Sequence, residues 1–275
     1  MRHIATITWL TFHEAWRRRM VLFAIGLGVL FLGIYGLGLW LINDSLPPRL
    51  RTSERQIGFS MLMLAGLYVT HFLTIMLAIF ASADSVAGEI STHTIQTLVT
   101  KPIRRWHIVI GKWLGYAAMI CLYISLIAGG VVLLVRLISG YQPPNIVSGL
   151  SLLLLEALVL LALSLLGGTR FSTLTNGVLL FMLYGLSFIG SWVEQIGALL
   201  ESRAAVNIGI ITSLVLPVEA LWRRASYLMQ PPLLRAVPTP FNSSSPPSNA
   251  MVIFAVIYMV VALLLAVWSF NRRDL

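Results

Sequence analysis

Long apolar runs separated by short polar breaks dominate the chain. A helix needs about 20 residues to cross a ~30 Å hydrocarbon core. Six runs reach that length: Val21 to Ile42, Ile57 to Ala81, Leu114 to Ile138, Ile146 to Gly168, Leu174 to Leu200 and Ala250 to Phe270. Between them, Asn43-Asp44-Ser45, Pro47-Pro48, Ser139-Gly140 and Pro143-Pro144 are turn chemistry. Two-residue alternation is too weak for a membrane barrel. The pattern predicts one all-α, polytopic membrane domain over residues 1–275 with six transmembrane helices.

Three segments lie outside the six runs. In residues 1–20, Ala5, Trp9, Phe12, Trp16 and Met20 share a helical face and His13 and Arg17 lie away from it, which predicts an interfacial elbow helix. Residues 83–113 read as two helices broken at Lys101-Pro102. In the second, Ile103, Trp106, Ile110 and Trp113 share one face, Arg104, Arg105, His107 and Lys112 lie elsewhere, and the helix runs on into the third span. Residues 201–249 form a loop with a short helix. Val206 to Trp222 is apolar but short and contains Pro217 and Glu219, so it predicts a re-entrant or interfacial segment, with a seventh span as the alternative.

Composition narrows the class. The chain is 58% hydrophobic and 11% charged, with a mean hydropathy of +0.88. A soluble domain carries roughly 25% charge, so a soluble enzyme is excluded, as is a disordered chain. A net charge of +9 in a soluble protein would suggest nucleic acid. Here the basic residues flank apolar runs, so they orient spans in a lipid bilayer, and no nucleic-acid partner is expected. Six spans divide Lys and Arg 11 to 8 in favour of the side holding both termini, and a seventh would divide them 12 to 7. The six-span count predicts cytoplasmic termini. The polar lead to Arg19, followed by a span-length run, is not the pattern of a cleavable signal. One cysteine, Cys121, leaves no intrachain disulfide.

Catalytic signatures are missing. Gly111-Lys112 lacks the upstream glycine and the following Ser or Thr of a phosphate-binding loop. No H-E-x-x-H or G-x-S-x-G occurs, and no two of His3, His13, His71, His93 and His107 have metal-ligand spacing. No catalytic residue, metal or bound cofactor is expected, and a lone His71 reads as a hydrogen-bonded interior residue. Charges within spans are the functional candidates. Glu156 lies about 15 Å along the fourth span, near the midplane, where an unpaired charge costs about 2.5–3.5 kcal/mol. It reads as a pathway carboxylate or an interhelical contact, with Arg136 either snorkelling or meeting it. Glu194 reads as wetted at the end of the fifth span. Gly26, Gly28, Gly33, Gly36 and Gly38 permit close packing of the first span, within or between subunits.

The 83–113 loop runs Glu89, then Thr94 and Leu98, then Pro102 and Arg105, and ends with Gly111-Lys112 at the start of a span. His93 stands where a glycine is common. This order, with EAWRRRMVLFAIGLGVL, LVLPVEALWRR and FNRRDL elsewhere, resembles the ABC-2-type transporter permeases, in particular the branch grouped with multicopper-enzyme maturation permeases. The resemblance implies the membrane-spanning subunit of an exporter in a prokaryotic plasma membrane. Two permease subunits would pair, as a homodimer or heterodimer. A separate ABC ATPase would carry ATP and Mg and dock on the coupling loop through Glu89, Thr94, Leu98, Pro102, Arg105, Gly111 and Lys112. Two alternatives stay open. One is a mechanotransmitter acting on an extracytoplasmic partner. The other is an ion-coupled transporter, which would need internal repeats and several buried charges; the sequence offers no repeat and one deep carboxylate, Glu156.

Overall fold

The computed structural model describes residues 2–47, 52–91, 104–235 and 247–272. Among these residues regular structure is entirely helical: α1 (Arg2–Arg17), α2 (Arg19–Ser45), α3 (Thr52–Ser91), α4 (Arg105–Ser139), α5 (Ile146–Gly168), α6 (Thr173–Leu199), α7 (Arg203–Val215), α8 (Val218–Met229), α9 (Pro232–Arg235) and α10 (Asn249–Asn271). The helices α2, α3, α4, α5, α6 and α10 are long and apolar enough to cross a membrane. The expected six-span, all-α architecture is present.

The sequence of α5 has no polar face, so it can be buried on all sides. It is the central post, with Leu153, Glu156, Ala157, Val159, Leu160 and Leu161 all buried. Around it pack α3, α4, α6, α8 and α10. The flanking α2 keeps most of its side chains exposed, including Leu30, Ile34 and Leu37, as a lipid-facing helix can. Its glycines divide: Gly28 meets Ile127 and Gly36 meets Leu134, whereas Gly26, Gly33 and Gly38 face open space.

Both termini lie at one end of the bundle. Arg105, at the start of α4, donates to the carbonyls of Phe270 and Asn271 at 3.2 Å and so caps the end of α10. Against the same stretch of α4 lies α1. A Cβ at Gly111 would stand 2.7 Å from Ile7, and one at Gly115 2.7 Å from Thr11. These two glycines form the notch that lets α1 approach. The buried face of α1 is therefore Ile7, Thr11 and Ala15, while Trp9 and Trp16 of the predicted apolar face point outward, as interfacial aromatics do.

The 83–113 region differs from its expected form. The part of it described before the break, residues 83–91, is no separate helix but the continuation of α3, a single 40-residue helix over Thr52–Ser91. The Lys101-Pro102 break lies outside the described residues. The second helix does run unbroken into the third span as α4. At 1.5 Å per residue, α3 is about 60 Å long, twice the hydrocarbon thickness, so it projects well beyond the bilayer. Lys112, expected away from the apolar face of the helix, is 4% exposed, and its Nζ donates to the carbonyl of Ser85. This bond ties α3 to α4.

The seventh apolar segment is α7 and α8, bent by 105°. Pro217 forces the break: it has no N–H, and its ring disfavours helix in Leu216 before it. The start of α7 lies beside the end of α6, with Ala205 over Gly197, and its further course places Thr212 over Gly190. The Ser187 hydroxyl, halfway along α6, donates to Leu216 at the bend at 2.8 Å. From there α8 returns along α5 until Asn145, capping α5, donates to Leu228 at 3.4 Å. The pair thus enters and leaves at the bundle end opposite the termini, which is the geometry of a re-entrant hairpin.

Two outcomes are expected. In a Cys121→Ser background, Glu201→Cys and Ser248→Cys should react with an impermeant maleimide from the same side of the membrane, and Phe171→Cys from the other. Labelling of 201 and 248 from opposite sides would make the segment a seventh span. Separately, Gly115→Leu should overfill the α1–α4 notch and destabilise the protein by about 1–3 kcal/mol, read as a lower melting temperature.

Candidate functional site

Three helices deliver ionisable side chains to one point in the middle of the bundle. His71 comes from α3, on the face that also buries Met63, Leu67, Thr74 and Ala78. Glu156 comes from the central α5. Glu219 comes from the first turn of α8, where the helix dipole favours a negative charge. The Nδ1 of His71 stands 2.6 Å from Glu156 Oε1, and its Nε2 stands 3.3 Å from Glu219 Oε1. The side chains of His71 and Glu156 are fully buried and that of Glu219 is 4% exposed. For both contacts to be hydrogen bonds, the ring must carry both its protons or a carboxylic acid must donate to it. One imidazolium between two carboxylates leaves an excess negative charge, and Glu156 Oε2 has no hydrogen-bond partner.

Aromatic rings wall this cluster. The Trp222 ring stacks on His71 with centroids 4.8 Å apart, and Tyr68 lies 5.5 Å from Trp222. The Tyr184 side chain meets Glu219 from α6. Beside Glu219 opens a cavity of about 510 Å³ between α3, α6 and α8.

The expected site residues separate into two places. Glu156 is at the cluster. Arg136 is not: it sits in the last turn of α4, exposed, and the oxygen of the Gln142 amide, oriented to accept, lies 3.1 Å from its Nε and Nη2. The contact between Arg136 and Glu156 is therefore overturned, and His71 is the partner instead. Glu194 is half-buried, its side chain 14% exposed, and pairs with Arg223 at 2.8 Å. Arg105, Gly111 and Lys112 lie at the terminal end of α4, at the α10 cap, the α1 notch and the α3 tie. Glu89 belongs to the last turns of α3, its side chain outside the described residues, as are Thr94, Leu98 and Pro102 altogether. The reading of His71 as a hydrogen-bonded interior residue holds, but its partners were missed. A second deep carboxylate, Glu219, was also missed. Its signal was present: a lone acidic residue two positions after the proline that breaks an apolar run. Among the described residues no set of three His, Cys, Asp or Glu side chains is arranged to hold a metal.

The family model described as ABC-2 family transporter protein matches residues 5–275. The chain belongs to the ABC-2 transporter family. The match supports the family and does not reach the multicopper-maturation branch. Among curated proteins none matches the chain significantly. As an ABC-2 family member it is a multi-pass membrane-spanning transport subunit. The buried cluster is then a polar group on the interior of a permease, where such residues are costly to keep.

The charges of the cluster generate a stability test. His71→Leu removes the imidazole that the two buried carboxylates share and should destabilise the chain by about 3–5 kcal/mol. Changing His71, Glu156 and Glu219 all to Leu should recover most of that loss. Glu156→Gln, which keeps a hydrogen-bonding amide, should melt close to wild type. Tryptophan-fluorescence melting in detergent reads all three. A single His71→Leu change without effect would mean that the cluster holds no charge.

Proposed function

We propose that this ABC-2 permease subunit couples ATP hydrolysis in a separate ATPase to export of a substrate. Two permease subunits, identical or different, pair in a prokaryotic plasma membrane with their termini in the cytoplasm, and each receives an ATPase carrying ATP and Mg. The ATPase docks on the 83–113 region, with Glu89, Thr94, Leu98, Pro102 and Arg105 at its surface. Gly111 and Lys112 act behind that surface by fixing α1 and α3 against α4.

The observation that carries this reading is the continuity of α3. Glu89 and His71 stand 18 positions apart on one helix, about 27 Å at 1.5 Å per residue. A push on the projecting end of α3 is transmitted rigidly to the imidazole between the two carboxylates. The bond from Lys112 to Ser85 makes α4 share the load. Motion at the docking surface becomes a change in the geometry of a charged group at mid-membrane.

The second deep carboxylate, Glu219, gives the ion-coupled alternative a feature that the sequence reading lacked. Mechanotransmission to an extracytoplasmic partner has no comparable observation in its favour. Co-expression with the ATPase encoded nearest to this chain tests the proposal. Glu89→Lys and Arg105→Glu should reduce co-purification, with melting measured in parallel because Arg105 also caps α10. Lys112→Met keeps the apolar stem but cuts the tie. It should retain the ATPase yet lose substrate-stimulated hydrolysis by about tenfold, within the roughly 1–3 kcal/mol of ordinary coupling between sites. Transport into vesicles that proceeds without ATP and collapses with the proton gradient would select the ion-coupled reading.

A further inference from the structure

The cavity beside the cluster has a definite chemistry. Its volume of about 510 Å³ falls in the range of small-molecule sites. Its wall is apolar on the α3 side, through Met61, Leu62 and Leu64, and aromatic toward its floor, through Tyr68, Trp192 and Trp222. Glu219 is the one carboxylate on that wall. The one basic residue there, Arg223, is 6% exposed and has its charge matched by Glu194 at 2.8 Å. With both carboxylates of the cluster ionised, the sign left uncompensated at the cavity is negative, even when the ring carries both its protons. Its source is the arithmetic of the cluster, in which a single imidazole stands between Glu156 and Glu219, with only the phenols of Tyr68 and Tyr184 nearby. Met61 and Ala65 are exposed on the flank of α3, so the cavity has a rim facing the lipid side of the bundle.

We propose that this cavity binds a lipophilic organic cation, a protonated amine or quaternary ammonium or phosphonium on a hydrocarbon or aromatic body, with its charge held between Glu219 and the rings of Tyr68 and Trp222. Three physical requirements of such a ligand are met at one place. A carboxylate supplies the counter-charge. Electron-rich ring faces attract a desolvated cation. Apolar walls take the body, which can arrive along the bilayer because the rim is exposed there. An anion finds the opposite: Arg223 is engaged, and the nearby excess charge repels it. An uncharged apolar molecule would fill the walls but offer the Glu219 carboxylate no counter-charge. The Nε of Arg223, buried without a partner, adds a hydrogen-bond donor for an oxygen on the ligand body.

This site deepens the permease reading by naming the cargo class, and it rests on that reading only for transport. Binding itself requires neither the ATPase nor ATP. The test uses the full-length chain in maltoside detergent and radiolabelled tetraphenylphosphonium in equilibrium dialysis, with tetraphenylborate as the anion of the same shape. Wild type should bind tetraphenylphosphonium saturably at one site per chain, and tetraphenylborate should show no saturable binding. Glu219→Gln should weaken the cation by at least about tenfold. Ala65→Trp, which fills the cavity from an exposed position and leaves the carboxylate in place, should do the same while melting like wild type. It keeps the test decisive if Glu219→Gln folds poorly. Wild type without saturable binding, equal binding of the anion, or Ala65→Trp binding within that tenfold margin each overturns the site. Such a failure leaves ATPase co-purification untouched, and a failure of docking leaves the binding curve untouched, so the two proposals fall separately.

Discussion

An imidazole shared by two carboxylates in an apolar bundle constrains the rest of this fold. Burying a charge costs several kcal/mol unless it is paired and hydrogen-bonded. The three partners come from helices far apart in sequence, so each must arrive at the same depth. Glu156 does so by its place on the central α5. His71 does so because α3 passes α5 on its buried face. Glu219 can reach them only if the chain enters the membrane, stops at its middle and turns back. Pro217 makes the stop, and Gly190 and Gly197 let α7 lie close enough to α6 for the turn to fit beneath. The re-entrant hairpin is the structural means of placing a second carboxylate beside His71.

The same three-helix meeting joins the interior to the terminal end. Of its members only α3 runs on as one helix past the bilayer. Packing of α1 into the Gly111–Gly115 notch, the cap from Arg105 to α10 and the tie from Lys112 to Ser85 bind the ends of α1, α3, α4 and α10 together. Residues that read in the sequence as a docking set are thus of two kinds. Glu89, Thr94, Leu98 and Pro102 have side chains outside the described residues, whereas Arg105, Gly111 and Lys112 hold α10, α1 and α3 against α4.

The architecture was legible because bilayer thickness translates directly into run length. Span number and the boundaries of α5 and α10 followed from apolar runs, and the ambiguity over residues 206–222 came from the proline and the acid that create the hairpin. The site was half legible. Glu156 stood out because a single carboxylate at mid-span is conspicuous. Its partner did not: Arg136 is a visible charge that could either snorkel or meet Glu156, while an imidazole of unknown protonation on another helix gives no charge signal in sequence. Lys112 misled for a related reason. Helical periodicity places it off the apolar face, but a long lysine stem can run through an apolar contact to a distant carbonyl. Which acceptor it finds is a tertiary fact.

The two hydrogen bonds of His71 are unequal, and the inequality has a direction. The 2.6 Å contact joins α3 to α5, the central helix, which packs against α3, α4, α6, α8 and α10. The 3.3 Å contact joins α3 to α8, a 12-residue helix held near its ends by Ser187 and Asn145 and by the pair between Arg223 and Glu194. On the proposed coupling, a displacement carried along α3 would act first on the longer bond. When that bond parts, Glu219 loses its contact with the imidazole and keeps the Tyr184 phenol, while still facing the cavity, and on the proposed cation site the attraction for a cation there rises. The link between a push at the membrane surface and a change in affinity at mid-membrane then needs no wholesale rearrangement of the bundle. It needs α8 to hold its place while His71 moves by a fraction of the residue spacing.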